Sequence, residues 1–359
     1  MDSIDWGLAQ RVGELLAGSP PPGGRVHAGE LRELAGDFAA RVGDYSGLQP
    51  PGELPPLDVV DRAHWIQANL ATMRPLVERM TDQLAHTGPL SGTMRSASGV
   101  LLGLQVGAIT GVLSQRVLGQ YDLSIVDPSA QARLLLVSPN LAQAARNLDV
   151  DREELTSWVT IHEVTHAVQF AGAPWLREHL AEHVESLLEK LRVSISGESV
   201  FNLSNLRSLG DLRGLGDVGA MRAELRALLE KARRGELLRL TLGEQRWAIV
   251  ERLQATMSLV EGHAEHVMDA VGADVLPSLP RLRRAMTHRR ESRAMPWRLI
   301  ERLLGIDLKM RQYEVGRHFC DEVVRERGRE TLARAWAAPE QLPSMAELES
   351  PALWLARVG

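Results

Sequence analysis

Trp158-Val159-Thr160-Ile161-His162-Glu163-Val164-Thr165-His166-Ala167-Val168-Gln169-Phe170 is the stretch on which the reading of this chain turns. Between Val159 and Val168, Glu163 is the only charged residue apart from the two histidines. A helix this apolar on every side is one that a core encloses, so the run predicts a buried helix. His162 and His166 are four residues apart, which places both imidazoles on one face, one turn above the other. Two imidazoles so placed suit a zinc ion. The carboxylate that follows the first of them reaches toward the open side of the ion, where a water would sit. A buried His-Glu-His cluster with no partner costs several kcal/mol, and a cation removes that cost.

A catalytic zinc takes three protein ligands and keeps one position open. The chain offers Glu261-Gly262-His263-Ala264-Glu265-His266-Val267-Met268-Asp269 on a second long helical stretch, expected over 241–271. Ala255 to Val260 are uncharged, so this helix enters a core, and Glu261 is the first charge to appear. Glu261 is therefore the expected third ligand. Glu265, one turn on, is the candidate to replace it or to hold a ligand histidine from behind, a supporting role open to His263 as well. His263, His266 and Asp269 are further alternatives for the third ligand. His179-Leu180-Ala181-Glu182-His183 has the inverted His-x-x-Glu-His spacing, but Arg177, Glu178, Glu185, Glu189 and Lys190 surround it and predict a solvated face.

Upstream of the central helix come two β signals, an alternating Tyr121–Val126 and a continuous apolar Arg133–Ser138, which read as the only good strands of the protein. A strand beside a zinc helix can hold an extended substrate along its edge. Asp151 with Glu154 predicts a capping box for the helix start. Before the strands, Gly103, Gly107 and Gly111 recur every fourth residue of an apolar helix, which predicts a seam where another helix packs closely. Apolar periodicity predicts helices over 4–17, 28–43 and 58–87, with a proline-rich connector at 48–56. Beyond the zinc helix, 175–193 reads as helix, 194–215 as a loop or flap, 218–233 as a charged helix, and 277–357 as helix broken at prolines.

The chain has 359 residues, 44% hydrophobic and 24% charged, a balance that supports a sizeable core. The formal net charge is −5 with no basic domain, so no nucleic-acid footprint is expected. Cys320 is the one cysteine, which excludes an internal disulfide and cysteine-based zinc motifs and reads as a buried, inert thiol. The first residues lack a basic and an apolar signal region, and the most apolar stretch, 99–118, carries glycines, Gln105, Gln115 and Arg116. The expectation is a cytoplasmic protein with no membrane partner.

The runs Gln105–Gly111, Leu118–Asp122, His162–His166 with Gln169-Phe170, Pro174–Leu176, Glu261–Met268 and Lys309–Gly316 together resemble the bacterial zincin-like metallopeptidase family. That family was once catalogued as a domain of unknown function, and some members are labelled coenzyme F420 biosynthesis-associated proteins or hydrolases. The resemblance covers about residues 58 to 330. It implies a largely helical zincin-like fold, zinc on His162, His166 and Glu261, and Glu163 as the catalytic base.

The expected fold is thus mainly α, zincin-like, with a small β element beside the His-Glu-x-x-His helix. Residues 1–56 are expected to form N-terminal helices and a connector, and 57–359 the metallopeptidase domain, with one compact unit as the alternative. The expected function is a zinc-dependent hydrolase, a metallopeptidase with one Zn2+ per chain acting on a peptide. Hydrolysis of a small amide or ester, and a non-catalytic scaffold with a structural metal, are the alternatives. Negative charge on the carbonyl oxygen calls for a donor besides zinc. Tyr313 is the candidate, with His288 and Arg311 behind it.

Overall fold

The computed structural model describes residues 4–19, 28–85, 92–125, 127, 130–197, 243–291 and 306–358. Within its helices, the side chains of 80–85, 92–98, 191–197, 290–291 and 306–313 lie outside that description. The described chain is mainly α, with one three-stranded sheet beside the central helix.

α1 (Trp6–Ala17) starts at Asp5, whose carboxylate accepts from Leu8 N at 2.8 Å. α2 (Ala28–Ser46) follows. β1 (Leu57–Val60) leads into α3 (Arg62–Ala85), and then comes α4 (Gly92–Ser114). The glycine row of α4 is the seam its spacing predicts, and α1 is the partner. A Cβ on Gly103, Gly107 or Gly111 would stand 2.7, 2.3 or 2.6 Å from the backbone oxygens of Asp5, Ala9 and Gly13.

β2 (Gly119–Asp122) and β3 (Arg133–Val137) complete the sheet, in the order β1-β3-β2. β1 runs parallel to β3 with Leu57 opposite Leu134, and β2 runs antiparallel with Tyr121 opposite Leu134. β2 is shorter than the alternation suggested, and β1 corrects the expectation of a helix from 58. Val59 and Val60 are β-branched, which suits a pleated surface better than a helical turn. Asp61 then caps α3 by accepting from His64 N at 2.8 Å. Behind the sheet, the buried Arg62 guanidinium donates to Ala17 O, Asn140 Oδ1 and Gln143 Oε1 at 2.7–2.8 Å, and so fastens α1 to α5 (Ser138–Leu148).

α6 (Arg152–Gly172) is the buried helix read from the sequence. Asp151 accepts from Glu154 N at 2.9 Å, but Glu154 does not return the bond. Its carboxylate accepts from the backbone N–H and hydroxyl of Ser278 instead, which fastens the helix start to the chain after α8. α7 (Trp175–Gly197), α8 (Glu244–Val275), α9 (Leu279–Glu291) and α10 (Ile306–Arg327) follow. Three short helices, α11 (Arg329–Ala333), α12 (Met345–Glu349) and α13 (Pro351–Val358), end the chain. α7 runs to Gly197, past the expected start of a loop at 194; the rest of that expected loop or flap, and the expected helix at 218–233, lie outside the described residues. α2, α5, α8 and β2 pack around α6, and its apolar side chains Leu155, Ile161, Val164, Ala167 and Val168 are fully enclosed. α8 and α10 cross in backbone contact, for a Cβ on Gly262 would fall 2.1 Å from Gly316 C. Among the described residues no helix is long and apolar enough to cross a membrane.

Candidate metal centre

α6 brings His162 and His166 onto one face, and α8 carries Glu261 to meet them. His162 Nε2 and His166 Nε2 are 3.2 Å apart, and Glu261 Oε2 lies 3.7 and 3.5 Å from them. Among the described residues these three side chains are the group whose donor atoms converge as metal ligands would. Tetrahedral zinc with bonds of about 2.0–2.1 Å has ligand–ligand edges of about 3.4 Å, so the spacing and the donor chemistry both fit zinc.

A chain of hydrogen bonds behind His166 decides which of its nitrogens faces the ion. Gln169 Nε2 lies 2.9 Å from the carbonyl oxygen of Val260, which can only accept, so the amide orientation is settled. Gln169 Oε1 then faces His166 Nδ1 at 2.9 Å and must accept from it. In its neutral form His166 therefore keeps its proton on Nδ1 and presents the Nε2 lone pair to the site. The second proton of the Gln169 amide points at His263 Nδ1, also 2.9 Å away. Gln169 thus ties one histidine of the site to the helix that carries Glu261. In sequence it is visible only as a polar residue one turn after His166 on an otherwise apolar helix.

Electrostatics follow from burial and close charge. Burial alone would depress His166, but Glu261 and then Glu163 outweigh it and carry the metal-free imidazole up to about 9. Burial favours the neutral acid of Glu261, yet the two histidines win and hold it well below the ordinary carboxylate range. Glu163 goes the other way. Its burial raises it, and the histidines beside it and the amide of Tyr121 only partly offset that.

Glu163 is held from the sheet side. The N–H of Tyr121 donates to Glu163 Oε2 at 2.7 Å. Leu118 O, just before β2, accepts from Val137 N at 2.9 Å, so the chain here is held to β3 on one side while the Tyr121 amide bonds to α6. The strand approaches α6 because residue 119 is glycine. A Cβ there would stand 2.6 Å from Val159 Cγ1 and 2.9 Å from Glu163 Cγ. Neither Gly119 nor the Tyr121 amide is marked as part of a site by its sequence, since a backbone donor has no residue-type signature. The Tyr121 ring packs on Phe170 with centroids 5.7 Å apart.

The remaining candidates are placed as follows. His263 is buried under the Trp336 ring, 4.9 Å between centroids, and reaches the site through Gln169. Glu265 is buried near enough to Asp269 to act on it electrostatically, and its carboxylate is not among the converging donors. His266 is engaged by Tyr45 Oη at 2.8 Å and Asp321 Oδ1 at 2.6 Å. Asp269 pairs with Arg283 and Arg317. Tyr313 and Arg311 lie on α10 with side chains outside the described residues, and His288 is exposed on α9. Cys320 is buried and its thiol is pushed well up by burial, as an inert core residue is.

A family model described as a zincin-like metallopeptidase matches residues 4–355. A search of curated proteins finds no match. Among solved structures, the chain is similar to one from Chloroflexus aurantiacus described as "a putative hydrolase with a novel fold". The two share 30% identity over 99% of this chain and 98% of that one, with a TM-score of 0.67.

Proposed function

The chain belongs to the zincin-like metallopeptidase family, and from that premise we propose that it is a zinc-dependent peptidase with Glu163 as its general base. His162, His166 and Glu261 would hold the metal. The observation that carries this reading is the meeting of those three donors from two helices, with a buried carboxylate one residue from the first. Among the described residues no fourth His, Cys, Asp or Glu joins the group, which favours an open catalytic arrangement over a closed structural one.

Zinc, when bound, supplies Lewis acidity, lowering the pKa of water to about 7 and polarising a carbonyl. Glu163 supplies the proton acceptor. Its raised basicity, set by burial, suits taking a proton from water and handing it to a leaving amine. The Tyr121 amide fixes one oxygen of that carboxylate and leaves the other for the proton. β2 is one of the sheet's two edge strands, the one beside α6, and an extended peptide laid along it would bring a scissile bond to Glu163.

The test is zinc content of the dialysed protein together with turnover against a panel of peptides and small amides and esters. The panel includes the latter because the similar solved structure is described only as a hydrolase. Wild type should carry one zinc and cleave a peptide. Glu163→Gln should keep the zinc and lose turnover, and Glu261→Ala should bind zinc poorly. A wild type that takes up no zinc, or a Glu163→Gln variant that still turns over, would overturn the proposal.

A further inference from the structure

α7 carries a second histidine pair that the proposed reaction does not use. His179 and His183 stand one turn apart with ring centroids separated by 4.3 Å, closer than the 4.7 Å between His162 and His166. His183 Nδ1 is 2.8 Å from the carbonyl oxygen of His179, which can only accept, so Nδ1 carries the proton and donates. In the neutral ring that tautomer leaves Nε2 as the nitrogen that can bind a metal. Both histidines are half-buried on a face whose neighbouring Glu178, Glu182 and Glu185 are exposed, as the charged flanks predict.

The pair is also braced. Trp175 packs against His179 in a T-shaped arrangement with centroids 5.9 Å apart, and its indole N–H donates to Trp336 O at 3.1 Å. Burial and the neighbouring His183 hold His179 below the ordinary imidazole value, with Arg252 acting in the same sense and Glu182 and Glu340 opposing them. His179 is therefore neutral near pH 7, and a cation need not displace a proton from it. Glu182 and Glu340 also bring negative charge near His179.

We propose that His179 and His183 form a second, exchangeable zinc site, separate from the one on α6 and α8. Two imidazole nitrogens and water would make up its shell. Among the described residues no third His, Cys, Asp or Glu converges on the pair. Fewer protein ligands mean weaker binding, so this site would fill and empty with the free zinc level while the three-ligand site stays loaded.

The experiment is calorimetric titration of the untagged, metal-depleted full chain with zinc chloride. Wild type should take up two equivalents, the second weaker by about tenfold or more. The double variant His179→Ala/His183→Ala should lose only the weaker one. His162→Ala should lose only the tighter one, so failure of the proposed catalytic site and failure of this one are told apart. His183→Gln, which keeps a polar side chain of similar reach, guards against loss of folding in the double variant and should also lose the weaker equivalent. A single equivalent in wild type would overturn the proposal, as would a weaker equivalent that persists in both α7 variants.

Discussion

The backbone amide of Tyr121 donates to the carboxylate of Glu163 across 2.7 Å, and so joins the edge strand of the sheet to the proposed base. A base that must meet a water and then a leaving group needs a fixed position, and a strand amide supplies it without a side chain to move. The contact exists because Gly119, two residues earlier, lets the strand lie against α6.

Gly119→Ala should therefore impair catalysis while sparing the metal. The added methyl would meet Val159 Cγ1 at 2.6 Å and Glu163 Oε1 at 3.0 Å. β2 must lift away, and the Tyr121 amide lifts with it. Turnover should fall about 10- to 100-fold, the scale of a base displaced by about an ångström. Zinc content should match wild type. Steady-state kinetics beside elemental analysis reads both, and unchanged turnover would show that the strand does not position Glu163.

Gln169→Ala should weaken zinc binding without touching a ligand. It removes the acceptor that holds the proton on His166 Nδ1 and the bond to Val260 O that keeps α6 and α8 in register. Loss of such a partner costs about 10- to 100-fold in metal affinity. Competition against a fluorescent chelator measures it.

Zinc affinity should also depend on pH through His166. With no metal its pKa is carried up to about 9, so at pH 7 zinc must displace a proton from it. Protons compete more weakly as pH rises, so apparent affinity should climb about tenfold per unit from pH 7 to 8 and level off near 9. A flat profile between pH 7 and 8 would mean that His166 is already neutral in the metal-free protein.

How far the sequence carries this site depends on whether a side chain or a backbone does the work. His162, Glu163 and His166 are legible because helical spacing translates directly into a shared face. Glu261 is legible as the first charge on a helix entering the core. The Gly103–Gly111 row is legible because glycine every fourth residue has one physical use in a helix, and α1 meets it there. β1 is not, because two valines between a proline-rich connector and a helix carry too short a pattern to set a period. The Tyr121 amide is not, because every non-proline residue has one. The His266–Tyr45 bond is not, because it joins residues 221 apart in sequence and depends on how α2 packs.

Gly316→Ala should be severe although residue 316 is no ligand. A Cβ at 316 would fall 1.8 Å from Ser258 O, on the helix that carries Glu261 three residues further on. Backbone atoms cannot swing aside as a side chain can, so α8 and α10 must separate. The cost should be about 3 kcal/mol or more, at the upper end of overpacking, and zinc should be lost with it. Denaturant unfolding of variant and wild type, with zinc content alongside, checks both.

His263 should make the protein acid-labile. Burial, with His266 and His166 nearby, depresses its pKa to about 3 in the folded chain, against about 6.5 unfolded. Its Nδ1 accepts from Gln169, and a proton there would break that bond. A depressed folded pKa means stability that is whole above pH 6.5 and lost as pH falls toward 3, because the unfolded chain takes up the proton and the folded chain refuses it. At pH 5 the loss from this one group should be about 2 kcal/mol. His263→Gln offers no such proton site, so its stability should fall less than wild type's between pH 7.5 and 5, whatever its value at neutral pH. Urea unfolding at the two pH values measures the difference, and equal losses in the two proteins would mean that His263 already shares its proton when folded.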